Sequence, residues 1–100
     1  MAKEDEMTIA RQYILVAADD KASALAEALT DLANKIRPLD GCEGVDVMRN
    51  LEAPNHFILV ERWLSIEAQL AAGKTLGKAA FSAVMSGVVR PPEGCNLEFL

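Results

Sequence analysis

The chain reads as an α+β domain of ferredoxin-like topology, β-α-β-β-α-β, with an antiparallel sheet and the helices on one face, and three observations predict it. The run His56–Leu64 (HFILVERWL) contains neither Gly nor Pro and is rich in aromatic and β-branched residues, the composition of a strand. Upstream, Ala22, Leu25, Ala26, Leu29, Leu32, Ala33 and Ile36 recur at helical spacing on one stripe. The segments around these two complete the order strand, helix, strand, strand, helix, strand. Two right-handed β-α-β crossovers sharing one sheet put every helix on the same side and leave the other side bare. Because Ile14, Val16, Ile58 and Val60 are too apolar for a wet face, homodimerisation through sheet faces is the expected cover.

Taken in order, residues 1–10 form a polar, charged tail and residues 11–100 a single domain. Arg11 to Ala18 (RQYILVAA) is the first strand, with Tyr13 and Leu15 on one side and Ile14 and Val16 on the other. Asp19 and Asp20 supply cap chemistry for the helix that follows. That helix stops near Arg37, since Pro38 disfavours the α region for its predecessor, and Asp40-Gly41 turns the chain. Cys42 to Asn50 alternates Val45, Val47 and Arg49 against Asp46 and Met48, as an edge strand does. Leu51 to Asn55 is the hairpin loop. In the third strand Phe57, Leu59, Glu61 and Trp63 share one face, and His56, Ile58, Val60, Arg62 and Leu64 the other. Ser65 caps a short helix ended by Gly73, and a second helical piece runs from Thr75 to about Ser86 with Gly77 weakening its start. Arg90 to Gly94 breaks the helix, and Cys95 to Leu100 is the last strand.

One hundred residues make one domain, and 51% apolar content rules out disorder. With 15 acidic against 10 basic residues the net charge is -5, and no Lys/Arg cluster offers a track for phosphates, so nucleic acid is not an expected partner. The N-terminus lacks the pattern of a secretory signal, and no run reaches the ~18 apolar residues of a membrane span, which predicts a soluble, cytoplasmic protein with no membrane partner. Cys42 and Cys95 lack the spacing of a zinc site or a redox pair and read as free buried thiols. The chain shows no Ser/His/Asp set, phosphate loop or paired-carboxylate motif, which disfavours hydrolase and nucleotide chemistry.

From Gly41 to Trp63 the sequence is GCEGVDVMRNLEAPNHFILVERW, followed by Ser65-Ile66-Glu67-Ala68. This resembles the antibiotic biosynthesis monooxygenase domain family, whose members open the second strand with Gly-Cys, carry a Pro in the hairpin, end a Phe-rich third strand with Glu-x-Trp and begin the next helix with Ser-x-Glu-Ala. Here those positions are Gly41, Cys42, Pro54, Phe57, Glu61, Trp63, Ser65, Glu67 and Ala68. The resemblance covers most of residues 11–100 and implies a dimeric α/β barrel, two sheets packed face to face. Family members include cofactor-free oxygenases of polycyclic quinols, relatives that degrade haem, relatives acting on small signalling molecules, and proteins with no assigned reaction. Two departures narrow these. Ala71-Ala72-Gly73-Lys74-Thr75-Leu76-Gly77 stands where many members carry histidines, which removes a haem ligand and an acid/base group. Val45 replaces an aromatic, and Leu59 an asparagine found in some quinol oxygenases, so the pocket is expected to be unusually apolar.

Trp63, the only tryptophan, is either a core anchor or a pocket wall, and burying it removes roughly 150–250 Å² from water, worth at most ~4–6 kcal/mol. Glu61 shares its face; it is a buried base able to take a proton from a phenol, or, the preferred expectation, the partner of Arg11 or Arg49 in a salt bridge. These two are the candidate catalytic residues. Tyr13, Leu59, Phe81 and Met85 are the candidate walls for an apolar or aromatic small molecule. His56, beside a polar loop, reads first as a solvated surface histidine and second as a base. The first functional expectation is a homodimeric monooxygenase of a quinol-type aromatic, with no cofactor and no metal. The second is a non-catalytic module binding an apolar ligand, and the third an isomerase or aldehyde-processing relative.

Overall fold

The computed structural model describes residues 8–100. The elements are β1 (Ile9–Val16), α1 (Ala22–Ile36), β2 (Cys42–Arg49), β3 (His56–Trp63), α2 (Ile66–Leu76), a 3₁₀ turn (Lys78–Phe81), the one-turn helix α3 (Ser82–Met85) and β4 (Glu93–Glu98). The strands form one antiparallel sheet in the order β2-β3-β1-β4, the predicted ferredoxin-like arrangement, with β2 at an edge as its alternation required.

Register decides which side chains share a face. Directly opposed residues of an antiparallel pair point the same way, so Tyr13 with Leu59, Leu15 with Phe57 and Ile9 with Trp63 form the inner face. Onto it α1 lays Leu25, Leu29, Leu32, Ala33 and Ile36, all buried. Each aliphatic side chain removed from water here contributes ~1.5–3 kcal/mol, which is why this pairing of helix and sheet forms the core. Phe57, Leu59, Glu61 and Trp63 alternate as buried positions along β3, while Ile58, Val60 and Arg62 between them stay half-buried on the outer face.

Several boundaries differ from the sequence expectation. β1 begins at Ile9, not Arg11, because Ile9 and Ala10 find ladder partners in both β3 and β4. Residues 1–7 of the predicted tail lie outside the described residues. Asp20 does not cap α1: it takes a left-handed φ of 64°, Lys21 occupies the cap position, and no side chain bonds the first turn. Gly73 does not stop α2, which runs through it to Leu76; Gly77, at φ 77°, is the residue in the conformation that a side chain resists, and it ends the helix. β4 starts at Glu93 rather than Cys95.

The motif around Gly41 is a single joint. Gly41 has φ 84°, and a Cβ there would lie 2.5 Å from the Cβ of Ala68 on α2, so both the turn and the close approach exclude a side chain. Its carbonyl accepts the Leu64 N–H at 2.8 Å, and Ser65 Oγ accepts the Ala68 N–H at 3.1 Å as the cap of α2. Gly41, Trp63, Ser65 and Ala68 are thus in register because they lock the start of β2, the end of β3 and the first turn of α2 together. Among the described residues no helix is long and apolar enough to cross a membrane.

Candidate active site

A row of side chains crosses the inner face of the sheet: Val45 on β2, Glu61 on β3, Arg11 on β1 and Asn96 on β4. Glu61 is only 4% exposed, the one charged residue that is buried among the described residues. Trp63, two residues further along the same face, donates its indole N–H to Glu61 Oε1 at 2.8 Å. Burial pushes the Glu61 pKa above the ordinary carboxylate range, against the opposing pull of the Trp63 hydrogen bond and of the Arg11 guanidinium. A carboxylate so placed binds a proton more firmly than one in water and is better matched to a phenol.

The expected salt bridge does not form. Arg11 stands opposite Glu61 in register, yet its guanidinium lies 4.9 Å over the Tyr13 ring and donates to Asn96 Oδ1 at 3.2 Å. Arg49 lies 4.8 Å over Phe57. The ion pair among the described residues is instead Arg62 with Asp46, 3.4 Å apart on the outer face, with Arg62 half-buried and Asp46 exposed. The reason is local: a buried indole N–H needs an acceptor, and Glu61 supplies it from an adjacent position on the same strand face.

Two cavities open between sheet and helices. The larger, about 220 Å³, is lined by Tyr13, Leu15 and Leu59 of the sheet and Leu29 and Leu32 of α1, with Phe81, Val84, Met85 and Pro92 closing the other side. The smaller, about 70 Å³, has Glu61, Trp63 and Tyr13 on the sheet side, with Ile36, Gln69, Ala72, Gly73, Leu76 and Phe81 from the helices and the turn. All four predicted binding residues, Tyr13, Leu59, Phe81 and Met85, meet around the larger cavity. The predicted catalytic pair, Trp63 and Glu61, meets at the smaller. Tyr13 and Phe81 line both.

Trp63 combines the two roles that sequence left open, since it is 2% exposed and packed in the core while its edge walls the smaller cavity. His56 is exposed at the start of β3, away from both cavities. Cys42 is half-buried with its thiol on the Gly44 carbonyl, and burial pushes its pKa up, the opposite of an activated nucleophile. Cys95 is exposed, not buried as expected, because β4 is open on both faces in the isolated chain. Gln69, Arg11 and Pro92 were not singled out as wall or site residues by the sequence. Only Gln69 had a local signal: the Ser65 cap fixes the phase of α2 and so the side on which residue 69 emerges. Among the described residues no group of three or more His, Cys, Asp or Glu is placed to hold a metal.

The family model described as antibiotic biosynthesis monooxygenase matches residues 7–85. No curated protein is matched by sequence. Among solved structures, PA3566 from Pseudomonas aeruginosa superposes with a TM-score of 0.84 at 20% identity, covering 98% of this chain and 99% of its own. A candidate antibiotic biosynthesis monooxygenase from Nitrosomonas europaea gives 0.84 at 16% identity over 100% and 96%. Rv0793 from Mycobacterium tuberculosis gives 0.77 at 22% identity over 93% and 95%. At these identities the likeness is one of fold.

Proposed function

The chain belongs to the antibiotic biosynthesis monooxygenase family, and from that premise we propose that it oxidises a quinol-type aromatic molecule with dioxygen, using no metal, flavin or haem. The observation that carries this reading is Glu61, a buried carboxylate of raised proton affinity on the wall of the smaller cavity, which shares Tyr13 and Phe81 with the apolar cavity of about 220 Å³. Glu61 takes the phenolic proton, and the walls keep water from the electron-rich anion so formed. Dioxygen attacks an activated ring carbon bearing two hydrogens in its keto form. One oxygen atom becomes the new carbonyl, and the other leaves as water with those two hydrogens. Electrons and atoms balance with one dioxygen per turnover.

The working unit of this proposal is a homodimer joined through the outer sheet faces, because one layer of helices covers one face only and Ile14, Met48 and Leu97 stay exposed on the other. Two free cysteines suit the reducing cytoplasm. Oxygen uptake with a panel of hydroquinones tests the reaction. Glu61→Gln should keep binding and lower turnover by ~10²–10⁴-fold, whereas equal uptake by both proteins would end it.

One observation favours the second reading, a binding module without turnover. Among the described residues the walls of the two cavities carry no histidine or lysine, and Glu61 is their only carboxylate. An isomerase or aldehyde-processing role needs a second proton-transferring group and draws less support from the same walls. Tight binding of hydroquinones with no oxygen uptake would select the binding module.

A further inference from the structure

The two cavities set a size and polarity rule for the ligand. We propose that the site accepts a phenol of one or two fused rings, its rings in the larger cavity and one oxygen passing between Tyr13 and Phe81 to Glu61 and Gln69. The inference rests on the reading of this pair of cavities as the site of quinol oxidation, and extends it to the substrate class.

Volume carries the argument. An apolar cavity of about 150 Å³ holds one benzene ring. Scaled by carbon count, that allowance becomes about 250 Å³ for two fused rings and about 350 Å³ for three. The larger cavity, about 220 Å³, meets the first figure nearly and falls well short of the second. The smaller, about 70 Å³, is below the allowance for any ring but ample for a hydroxyl. Chemistry sorts the same way: the larger cavity is lined by aliphatic and aromatic groups, with the tyrosine hydroxyl its only polar side-chain atom among the described residues, while Glu61 and Gln69 bring an acceptor and an amide to the smaller. A third ring would have to leave past Met85 at the mouth, which is 46% exposed, and would remain in water.

Trp63 makes the arrangement measurable, because the chain has one tryptophan and its indole N–H is bonded to Glu61. Binding is measured by calorimetry under nitrogen, so that turnover plays no part, with phenol, 2-naphthol, naphthalene and 9-phenanthrol as probes. From phenol to 2-naphthol affinity should rise at least about tenfold, as four more carbons are buried, and from 2-naphthol to 9-phenanthrol by less than about threefold. 2-Naphthol should shift the Trp63 emission, and naphthalene should bind without doing so. Gly73→Leu adds a side chain where a Cβ meets nothing within 4 Å, narrowing the smaller cavity. It should lower 2-naphthol affinity and abolish its preference over naphthalene. Phe81→Ala, checked for retained fold by circular dichroism, should let the third ring gain affinity. A third ring that gains as much as the second in the unaltered protein would overturn the size rule. An emission shift caused equally by naphthalene, or a hydroxyl preference that survives in Gly73→Leu, would overturn the placement of the oxygen. Oxygen uptake is read separately: the expected binding order without uptake leaves this inference standing and removes the oxidation reading.

Discussion

The two faces of the sheet are built from the same strands and nearly the same residue types, yet they have different fates. Along β3 the inner residues Phe57, Leu59 and Trp63 are 1%, 3% and 2% exposed, while Ile58 and Val60 between them are only half-buried and Ile14 beside them is 38% exposed. Apolar composition alone therefore does not say which side is core. What separates the faces is the single layer of helices, and it also decides where chemistry can occur: the inner face holds Glu61, the one buried carboxylate among the described residues, and both cavities, and the outer face a solvent-accessible ion pair. The proposed dimer would give the outer face its cover.

The comparison breaks most directly at Phe57 and its neighbour. Phe57→Ala should cost about 3–5 kcal/mol in urea unfolding, whereas Ile58→Ala in dilute monomer should cost under about 1 kcal/mol. Equal losses would mean that the two faces are not energetically distinct. Val60→Asp should weaken self-association at least a hundredfold, ~3 kcal/mol, while the far-ultraviolet circular dichroism stays the same. Sedimentation equilibrium reads this, and an unaltered protein that sediments as a monomer at micromolar concentration would remove the proposed cover. Trp63→Phe should lose ~1–3 kcal/mol, since it gives up packing and leaves Glu61 without its donor.

The smallest effect is the most pointed. Folding raises the Glu61 pKa, so the native state binds that proton more tightly than the unfolded chain does. The resulting stabilisation is present below the ordinary value of 4.5 and is lost as pH rises through the raised one. Glu61→Gln keeps an acceptor for the indole without the charge. It should melt higher than the parent at neutral pH by calorimetry, with the gap closing as the pH falls toward 4.5. A variant less stable at neutral pH would restore a paired, stabilising carboxylate. The same sign predicts that turnover of the proposed quinol rises with pH through the Glu61 titration.

How far the sequence could be read follows from which forces were local. β3 and α1 are legible as elements because alternation and helical spacing are properties of a short window; the stripe named on α1 contains its buried residues, whereas β3 offered two apolar faces and only the helix layer selects Phe57, Leu59, Glu61 and Trp63. The end of α2 is not, since Gly73 and Gly77 look alike in an alanine-rich stretch and only the packing of Leu76 against the core selects the second. Tyr13, Leu59, Phe81 and Met85 converge because they lie on the inner face or on the helical segment that covers it. The partner of Glu61 was harder. Residue spacing put Trp63 and two arginines within reach, but the lateral order of strands brought Asn96 of β4 to Arg11 and drew that guanidinium away. The sequence likewise could not divide the site into two compartments, which depends on where α2 and the turn after it place Gln69 and Phe81.

One irregularity in β2 bears on how the chain can vary in length. Cys42 pairs with Trp63 and Gly44 with Arg62, so Glu43 is an extra residue with no partner across the ladder. Deleting Glu43 would leave each of those pairs as it is and remove only the bulge. Deleting Asp46 would instead exchange the two sides of the strand before it, turning outward residues into the core and inward ones into solvent. Position 43 is thus a splice point where β2 can gain or lose a residue without rewriting the sheet, and homologous chains that differ by one residue in this strand should differ there.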